Sequence, residues 1–336
     1  MAARAAGPLD LPTLTGYLDR TLRDPASVVG SVLPAPLGAA VASWPRLLAG
    51  SLGLRTRPRA YVEEQRGRLR SAALVYEGRR SEWVVLLLVA DPDPDGADGA
   101  FRLLSAVTAA AARHGMHRVF GSVPDAGAGA PGSVSDRSRE TYFQAGFYSY
   151  TRETWYVSSR AAVRPPSGEV AARPARRLDA HDLFRFYAAT TPHAVQRAEQ
   201  LAVTDFDVGR SAGAFDPPHL VAGDPFSMRR GLTLLQAGDD RPRAFAVAFR
   251  GLDRHPHVLK VRTADANVDL ARELLRGAAR DLSGDRTLAS PVRSYEEHVA
   301  RALLAEGFKE SATAMLFVKE LAVRIEEPAL APVVVR

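Results

Sequence analysis

Two groups of side chains in this sequence have the chemistry for proton transfer or metal binding. Glu63, Glu64 and Glu82 lie in or beside strand-like runs, and a positioned carboxylate can act as a general base. Charged side chains are mostly solvated, so a surface position is the simpler interpretation for all three. His255 and His257 flank a proline, and alternate residues of a strand point the same way. Without a third ligand at a telling distance the pair is more typical of a turn, and we predict no metal site.

Arginines form the densest basic cluster of the chain. Its members are Arg55, Arg57, Arg59, Arg66, Arg68 and Arg70. Such a cluster could bind a phosphate, an acidic partner or nucleic acid, and a charged strand edge is the plainer account. The sequence has no cysteine, which excludes thiolate nucleophiles, disulfides and cysteine-based zinc sites. It also lacks a P-loop lysine, a Gly-x-Ser-x-Gly elbow and a His-Glu-x-x-His pair.

Composition sets the outer limits. The 336 residues are 46% hydrophobic and 24% charged, with a formal net charge of +6, and this length favours two domains. Lys260, Lys309 and Lys319 are the only lysines among 44 basic residues. Because the chain is also rich in Ala, Gly and Pro, its basic character indicates a codon bias, and we predict that nucleic acid is not the partner. The cysteine-free composition and the absence of a signal-like start predict a cytoplasmic protein.

A short repeat is the strongest internal pattern. Residues 141–147 read Thr-Tyr-Phe-Gln-Ala-Gly-Phe, and residues 302–308 read Ala-Leu-Leu-Ala-Glu-Gly-Phe. In both copies the Gly-Phe pair follows a helical pattern and precedes a strand-like run, so that the glycine can end the helix in the left-handed conformation. The Leu-Leu pairs at 103–104 and 274–275 match as well. The repeat predicts one architecture used twice.

The first copy has an ordered series of elements. An almost continuously apolar run at residues 83–90 is typical of a central strand covered on both faces. A breaker loop, a helix at 100–113 and a strand at 119–123 follow. A helix at 138–146, which Ser138 could cap, then leads to a strand-like run.

The second copy repeats this order. We predict strands at 231–236, 244–250, 257–261 and 287–291, helices at 183–202, 270–282 and 294–306, and a last strand within 309–323. The proposed organisation is an N-terminal domain at 1–158, a linker at 159–174, a C-terminal domain at 175–325 and a tail at 326–336. The uncharged stretch 25–45 is interrupted by Pro34 and Pro36. It predicts two short helices packed on a sheet rather than a membrane span.

The order of elements resembles the GCN5-related N-acetyltransferase (GNAT) superfamily, including its tandem members. An apolar strand, a breaker loop, a helix with a Leu-Leu pair, a short strand, a helix ending in Tyr-x-x-x-Gly-Phe and a last strand pair carry the resemblance. It implies an α/β (α+β) fold in two tandem domains. Each would hold a mixed, mostly antiparallel sheet with a splayed central parallel pair flanked by helices. The splayed pair would hold the pantetheine arm of acetyl-CoA or another acyl-CoA.

The resemblance also implies site residues. Tyr142, four residues before Gly146, would protonate the leaving thiolate, and a carboxylate would act as base. Cofactor contacts would come from Val89, Ala90, Gly96, Ala97, Gly99 and Ala100. The family's pyrophosphate loop falls on residues 95–100, where Asp95 replaces Arg or Gln and Asp98 replaces Gly. The equivalent residues 266–271 keep only the last small residue, and Leu303 stands where the first copy has Tyr142.

Two functions follow from the resemblance. One is an acyl-CoA-dependent N-acyltransferase that transfers an acetyl group to a small-molecule or protein amine, with its active site in the N-terminal domain. The alternative is a degenerate tandem GNAT protein, a scaffold or binding module without acyl-CoA turnover. Asp95, Asp98 and Asp269 at phosphate-loop positions motivate the alternative, because carboxylates repel a pyrophosphate.

Overall fold

The computed structural model describes residues 2–31, 59–77, 82–125, 134–159, 163, 172–206, 228–237, 241–251, 256–280, 282 and 286–322. Its α-helices are α1 Leu11–Thr21, α2 Pro94–Arg113, α3 Val134–Gln144, α4 Ala180–Thr190, α5 His193–Glu199, α6 Val268–Arg280 and α7 Glu297–Ala305. The first seven strands are β1 Ala2–Ala5, β2 Val28–Ser31, β3 Arg59–Gln65, β4 Arg68–Glu77, β5 Glu82–Ala90, β6 Arg118–Pro124 and β7 Tyr148–Ser159. The others are β8 Arg173–Pro174, β9 Met228–Ala237, β10 Pro242–Gly251, β11 His257–Thr263, β12 Thr287–Arg293 and β13 Lys309–Glu320.

All the described strands belong to one mixed sheet. Its order is β1-β3-β4-β5-β6-β13-β7-β12-β11-β10-β9-β8, and β2 pairs with β5 outside this path. Two neighbouring pairs are parallel, β5 with β6 and β11 with β12. Each parallel pair lies in one half of the chain and the remaining pairs are antiparallel. The predicted fold class, a mixed sheet with one central parallel pair in each half, is confirmed.

The two halves exchange their last strands. β13, from the C-terminal half, pairs with β6, and β7, from the N-terminal half, pairs with β12. β7 and β13 also pair with each other, which joins the halves in the middle of the sheet. The sequence pattern did not predict this exchange. The domain boundaries at residues 158 and 175 stay a prediction, because each half completes its sheet with a strand of the other.

Helices cover both faces of the sheet. Apolar side chains of α1, α4 and α5 share one buried cluster with residues of both halves of the sheet, such as Val84 and Val258. On the opposite face, α2 and α3 pack on the N-terminal strands, and α6 and α7 pack on the C-terminal strands. The alternation of side chains along each strand sends successive residues to different faces. β5 is buried along its whole length, as its apolar sequence predicts.

Several predicted boundaries need correction. α2 begins at Pro94, so residues 95–100 are helical rather than a loop. α3 begins at Val134, which places Ser138 inside the helix and not at its cap. Residues 28–31 form a strand where the uncharged stretch predicted helices. Proline at the first helical position and Asp93 at the N-cap explain the early start of α2.

Some sequence predictions lie outside the described residues. These are most of the proposed linker, the loop at 126–133, the tail at 326–336, Arg55, Arg57 and His255. Within the described ranges, no helix is both long and apolar enough to cross a membrane.

The two repeated glycines adopt the predicted left-handed conformation. Gly146 has φ +80° and Gly307 has φ +82°, and only glycine enters this region without a steric cost. We expect Gly146→Ala and Gly307→Ala each to lower the free energy of unfolding by about 1–2 kcal/mol. Gly16 of α1 is the matched control, because a Cβ there meets nothing within 4 Å. Gly16→Ala should raise stability slightly, and equal losses at all three positions in urea unfolding would contradict the capping role.

Candidate functional site

The N-terminal parallel pair opens into a V. β5 and β6 pair at Glu82–Arg118, Trp83–Val119 and Val84–Phe120, and pairing ends there. Beyond these residues the two strands diverge toward Ala90 and Pro124. Val89 and Ala90 lie on the diverging part of β5 and are buried. We call the space between the diverging strands the N-terminal slot.

The chain fills the N-terminal slot with its own strand. β2 pairs antiparallel with β5, with Val28 opposite Val89 and Gly30 opposite Leu88. On its other side, Ser122 of β6 donates its hydroxyl hydrogen bond to the carbonyl oxygen of Ser31. β2 therefore takes the main-chain edge of β5 that an extended ligand would need.

Tyr142 lies against this strand. Its side chain is fully buried, with its ring 5.1 Å from that of Phe147 and 5.2 Å from that of Phe317, which arrives on the exchanged β13. A Cβ added to Gly30 would lie 2.5 Å from the Tyr142 hydroxyl oxygen, and one added to Gly121 would lie 2.5 Å from its ring. Glycine at both positions is what lets the tyrosine, β2 and β6 approach so closely. No hydrogen-bond partner for the Tyr142 hydroxyl is found among the described residues.

The start of α2 holds the other residues predicted to contact a cofactor. Asp93 caps the helix by accepting the backbone N–H of Gly96 at 2.8 Å. Gly96, Gly99 and Ala100 are buried, and a Cβ on Gly96 would collide with the carbonyl oxygen of Asp91. Backbone N–H groups at a helix N-terminus can bind a phosphate. Here the Asp93 carboxylate already accepts the hydrogen bond of the Gly96 N–H. Ala97 is half-buried at the mouth of the slot.

Arg70 partly neutralises the acidic residues at this mouth. Its guanidinium lies 2.8 Å from a carboxylate oxygen of Asp91, 3.2 Å from Asp93 and 3.5 Å from Asp95. Asp98 is exposed. The remaining negative charge disfavours a second anion here.

The C-terminal parallel pair also opens into a V. β11 and β12 pair only at His257–Leu288 and Val258–Ala289, and the strands then diverge. Lys260 and Arg262 on β11 face Pro291 and Arg293 on β12 across a cavity of about 50 Å³. No described strand lies between these two, in contrast to the N-terminal slot. We call this space the C-terminal slot.

Five charged side chains meet in and around the C-terminal slot. This buried charge cluster consists of Glu153, Glu199, Arg262, Arg293 and Glu296. Glu153 comes from the exchanged strand β7 and Glu199 from the end of α5. Arg262 and Arg293 come from the splayed strands β11 and β12, and Glu296 directly precedes α7. Strand exchange is what brings Glu153 to the cluster, since β7 belongs to the other half of the chain.

Ion pairs and hydrogen bonds hold the cluster together. The Nε atom of Arg293 lies 3.0 Å from Glu153 Oε2, and one of its terminal nitrogens lies 3.6 Å from Glu199 Oε1. Tyr187 donates its hydroxyl hydrogen bond to Glu199 at 2.7 Å. Glu296 Oε1 forms an ion pair with Arg262 Nε at 2.9 Å, and Glu296 Oε2 accepts the backbone N–H of Arg293 at 3.0 Å. The contacts of the Arg293 guanidinium are charge contacts, because none of its nitrogens has a hydrogen-bond partner among the described residues. The opposite charges of Glu153 and Glu199 offset the cost of burying it.

Solved structures of other proteins share this topology. No protein-family model matches the sequence, and no curated protein matches it. Solved structures do match over the whole described fold. A tandem GNAT protein from the clavulanic acid biosynthesis pathway, solved without acetyl-CoA, is 11% identical with a TM-score of 0.53, and the match covers 95% of this chain and 98% of that one. A GCN5-related N-acetyltransferase from Sphaerobacter thermophilus is 15% identical with a TM-score of 0.51, and the match covers 95% of each chain. This chain has the tandem GNAT fold.

The resemblance seen in the sequence implied an acyl-CoA arm in the splayed parallel pair of each half. The residues of the N-terminal slot do not fit that arm in this structure, because β2 occupies the edge of β5 and Asp93 occupies the Gly96 N–H. The C-terminal slot differs in that no described strand lies between β11 and β12, although one backbone donor at the start of its helix is also occupied by a side chain. There, Asn267 accepts the backbone N–H of Leu270 at 3.0 Å at the start of α6.

Burial shifts the pKa values of side chains in and around the C-terminal slot. Desolvation raises the pKa of Glu153 above its ordinary value, although Arg293 and Lys260 act in the opposite direction. Burial also raises the pKa of Tyr295 to about 12 and that of Tyr187 further. The pKa of Arg293 stays above its ordinary value, because Glu153, Tyr150 and Glu199 outweigh the effect of desolvation. A carboxylate of raised pKa is a stronger proton acceptor than an ordinary glutamate.

The sequence analysis missed these residues and misjudged two others. Glu63 and Glu82 are fully buried, so their assignment as solvated surface carboxylates is wrong. Glu63 accepts from Arg102 at 2.8 Å, and Glu82 lies 3.5 Å from Arg118. The one available signal was a charged residue inside a strand-like run. Glu63 pairs with the half-buried Arg102, and Glu82 pairs with the buried Arg118.

His257 is buried at the start of β11, where its Nδ1 atom lies 3.1 Å from the backbone nitrogen of Gly251. Across the described part of the chain, no three His, Cys, Asp or Glu side chains are grouped so that they could hold a metal ion.

Proposed function

We propose that this protein is an acyl-CoA-dependent N-acyltransferase whose transfer step takes place in the C-terminal half. The observation that carries the proposal is the splayed pair β11 and β12, which opens onto a cavity lined by Glu153, Arg262 and Arg293. The acceptor is an amine of a small molecule or a protein, as the tandem GNAT fold suggests. This moves the predicted active site from the N-terminal to the C-terminal half.

Glu153 is the residue we assign as general base. An acceptor amine enters as an ammonium ion and must lose a proton before its nitrogen can attack the acyl carbon. The carboxylate of Glu153 takes that proton, and its ion pair with Arg293 holds it toward the cavity. Acyl-CoA supplies the activated thioester. The C–N bond of the amide forms as the C–S bond breaks, and the second proton of the attacking nitrogen goes to the leaving thiolate. The main chain of β11 beyond Val258, where pairing with β12 ends, and the first turn of α6 would hold it.

Tyr187 and the other members of the buried charge cluster position the base. Glu199 lies on the other side of Arg293 and accepts the hydroxyl hydrogen bond of Tyr187. Glu296 anchors Arg262 and the backbone of Arg293. The cluster is thereby fixed before a substrate arrives, which lowers the cost of reorganisation during proton transfer.

A tandem GNAT scaffold without acyl-CoA turnover is the second candidate. The occupied N-terminal slot and the Asp93 cap favour it for that half. In the C-terminal half, Leu303 replaces the tyrosine of the first copy and is buried in the apolar cluster. A scaffold would bind no acyl-CoA in either slot.

Isothermal titration of the whole chain with acetyl-CoA separates the two candidates. We expect one binding site per chain for the transferase, followed by acetyl transfer when a panel of primary amines is supplied. Absence of heat at millimolar acetyl-CoA, with folded protein, would remove the transferase proposal. The variant Tyr142→Phe decides which half reacts. Loss of transfer in that variant would return the reaction to the N-terminal slot.

A further inference from the structure

β2 resembles a bound ligand more than an ordinary strand of the sheet. It is four residues long, lies between the two diverging strands of the N-terminal slot, and has a register break between Val28 and Gly30. Its contacts on the two sides differ, with main-chain pairing to β5 and a side-chain hydrogen bond from Ser122 of β6. These contacts are the kind an extended peptide-like arm makes with a strand edge.

The position of β2 in the N-terminal slot depends on Gly30. A Cβ at Gly30 would lie 2.5 Å from the Tyr142 hydroxyl and 2.8 Å from the carbonyl oxygen of Ser122. The second of these is backbone and cannot swing away. Any larger residue at this position therefore has to push the strand out of the slot.

The closed slot leaves one polar group unsatisfied. The Tyr142 hydroxyl is fully buried beside Gly30, and none of the described residues forms a hydrogen bond with it. A buried hydroxyl without a partner destabilises the state that contains it. A slot occupant that offers an acceptor atom to the Tyr142 hydroxyl would remove this defect.

We propose that Val28–Ser31 is a displaceable plug that keeps the N-terminal slot closed and competes with an extended thioester for it. The competing ligand has a main-chain-like arm that pairs with β5 and a carbonyl or sulfur that reaches Tyr142. It carries no pyrophosphate, because Asp91, Asp93 and Asp95 line the mouth and Asp93 already holds the Gly96 N–H. This device lies outside the C-terminal slot and goes beyond the acyl-transfer proposal.

The variant Gly30→Ala tests the plug in the full-length chain, with S-acetylpantetheine as the probe. We expect the variant to bind the probe in the N-terminal slot at least about tenfold more tightly than the wild type in isothermal titration, because the wild-type slot must first release β2. Gly16→Ala, where a Cβ meets nothing within 4 Å, is the matched control and should bind like the wild type. The comparison concerns this slot alone, so a missing C-terminal site leaves the test intact. A folded Gly30→Ala protein that binds the probe no more tightly than the wild type overturns the proposal.

Hydrogen exchange of the wild type gives a second test that needs no variant. With saturating S-acetylpantetheine, amides of residues 28–31 should exchange at least about tenfold faster, whereas amides of the β3–β4 pair should not change. Unchanged exchange at 28–31 in the presence of the probe would show that β2 is a permanent part of the sheet.

Discussion

Glu153→Gln is expected to lower kcat for acyl transfer by about 10²- to 10⁴-fold, the range for loss of a general base. The amide keeps the shape of the side chain but cannot take the proton of the acceptor amine. The change leaves the buried Arg293 with Glu199 as its remaining carboxylate partner, so kcat is compared only for variant protein that circular dichroism shows to be folded. Steady-state kinetics with acetyl-CoA and an accepted amine measure the effect.

The pH dependence of kcat/KM distinguishes a general base from a residue with a structural role alone. A base must be deprotonated, so kcat/KM of the wild type should rise with pH through a pKa above the ordinary 4.5 of a glutamate. This rising limb of the pH profile should be absent in Glu153→Gln. Glu273→Gln, the same change at an exposed position of α6, is the control and should keep both the rate and the limb. A Glu153→Gln enzyme with wild-type kcat would exclude Glu153 as the base.

The raised pKa of Glu153 also makes the stability of the folded protein depend on pH. The folded-state pKa of Glu153 is above its unfolded value, so its contribution to stability is fully present below the unfolded pKa. That contribution is lost as the pH rises through the folded pKa.

Arg293→Met is expected to lower the free energy of unfolding by about 3–5 kcal/mol, the cost of breaking a buried ion pair by removing one partner. Arg293 is 2% exposed and lies beside Glu153 and Glu199, which are 4% and 0% exposed. Methionine would fill part of the space, but both carboxylates would lose their cation in a region that water does not reach. Urea unfolding measures the loss.

Two variants distinguish this effect from simple repacking. Arg293→Met combined with Glu153→Gln should recover part of the lost stability, because one uncompensated charge is removed with its partner. Arg243→Met breaks an exposed pair with Asp265 at 3.7 Å and should leave the urea midpoint unchanged, since surface pairs contribute little. If the double variant is no more stable than Arg293→Met, the lost packing of the arginine stem explains the change.

Local patterns predicted much of the fold. The apolar run at 83–90 lies within β5, the helical periodicity at 270–282 falls on α6, and Gly146 and Gly307 both have positive φ. These features depend on neighbours within a few residues, so the sequence states them directly. The order of elements was enough to indicate the tandem GNAT fold.

The candidate site required the tertiary structure. Glu153 and Arg293 are 140 positions apart in the sequence and meet because β7 and β12 pair across the two halves. The strand β2 pairs with β5 inside the N-terminal slot, and this pairing depends on the divergence of β5 from β6. Glu63 and Glu82 look like surface carboxylates until Arg102 and Arg118 are placed beside them.

The sequence by itself determined the elements, their order and their repetition, because periodicity, capping and turn formation are local. The tertiary structure decided which slot is filled, which carboxylates are buried and which half holds the charge cluster. These properties depend on desolvation and on pairing between distant strands, and no local pattern records either one.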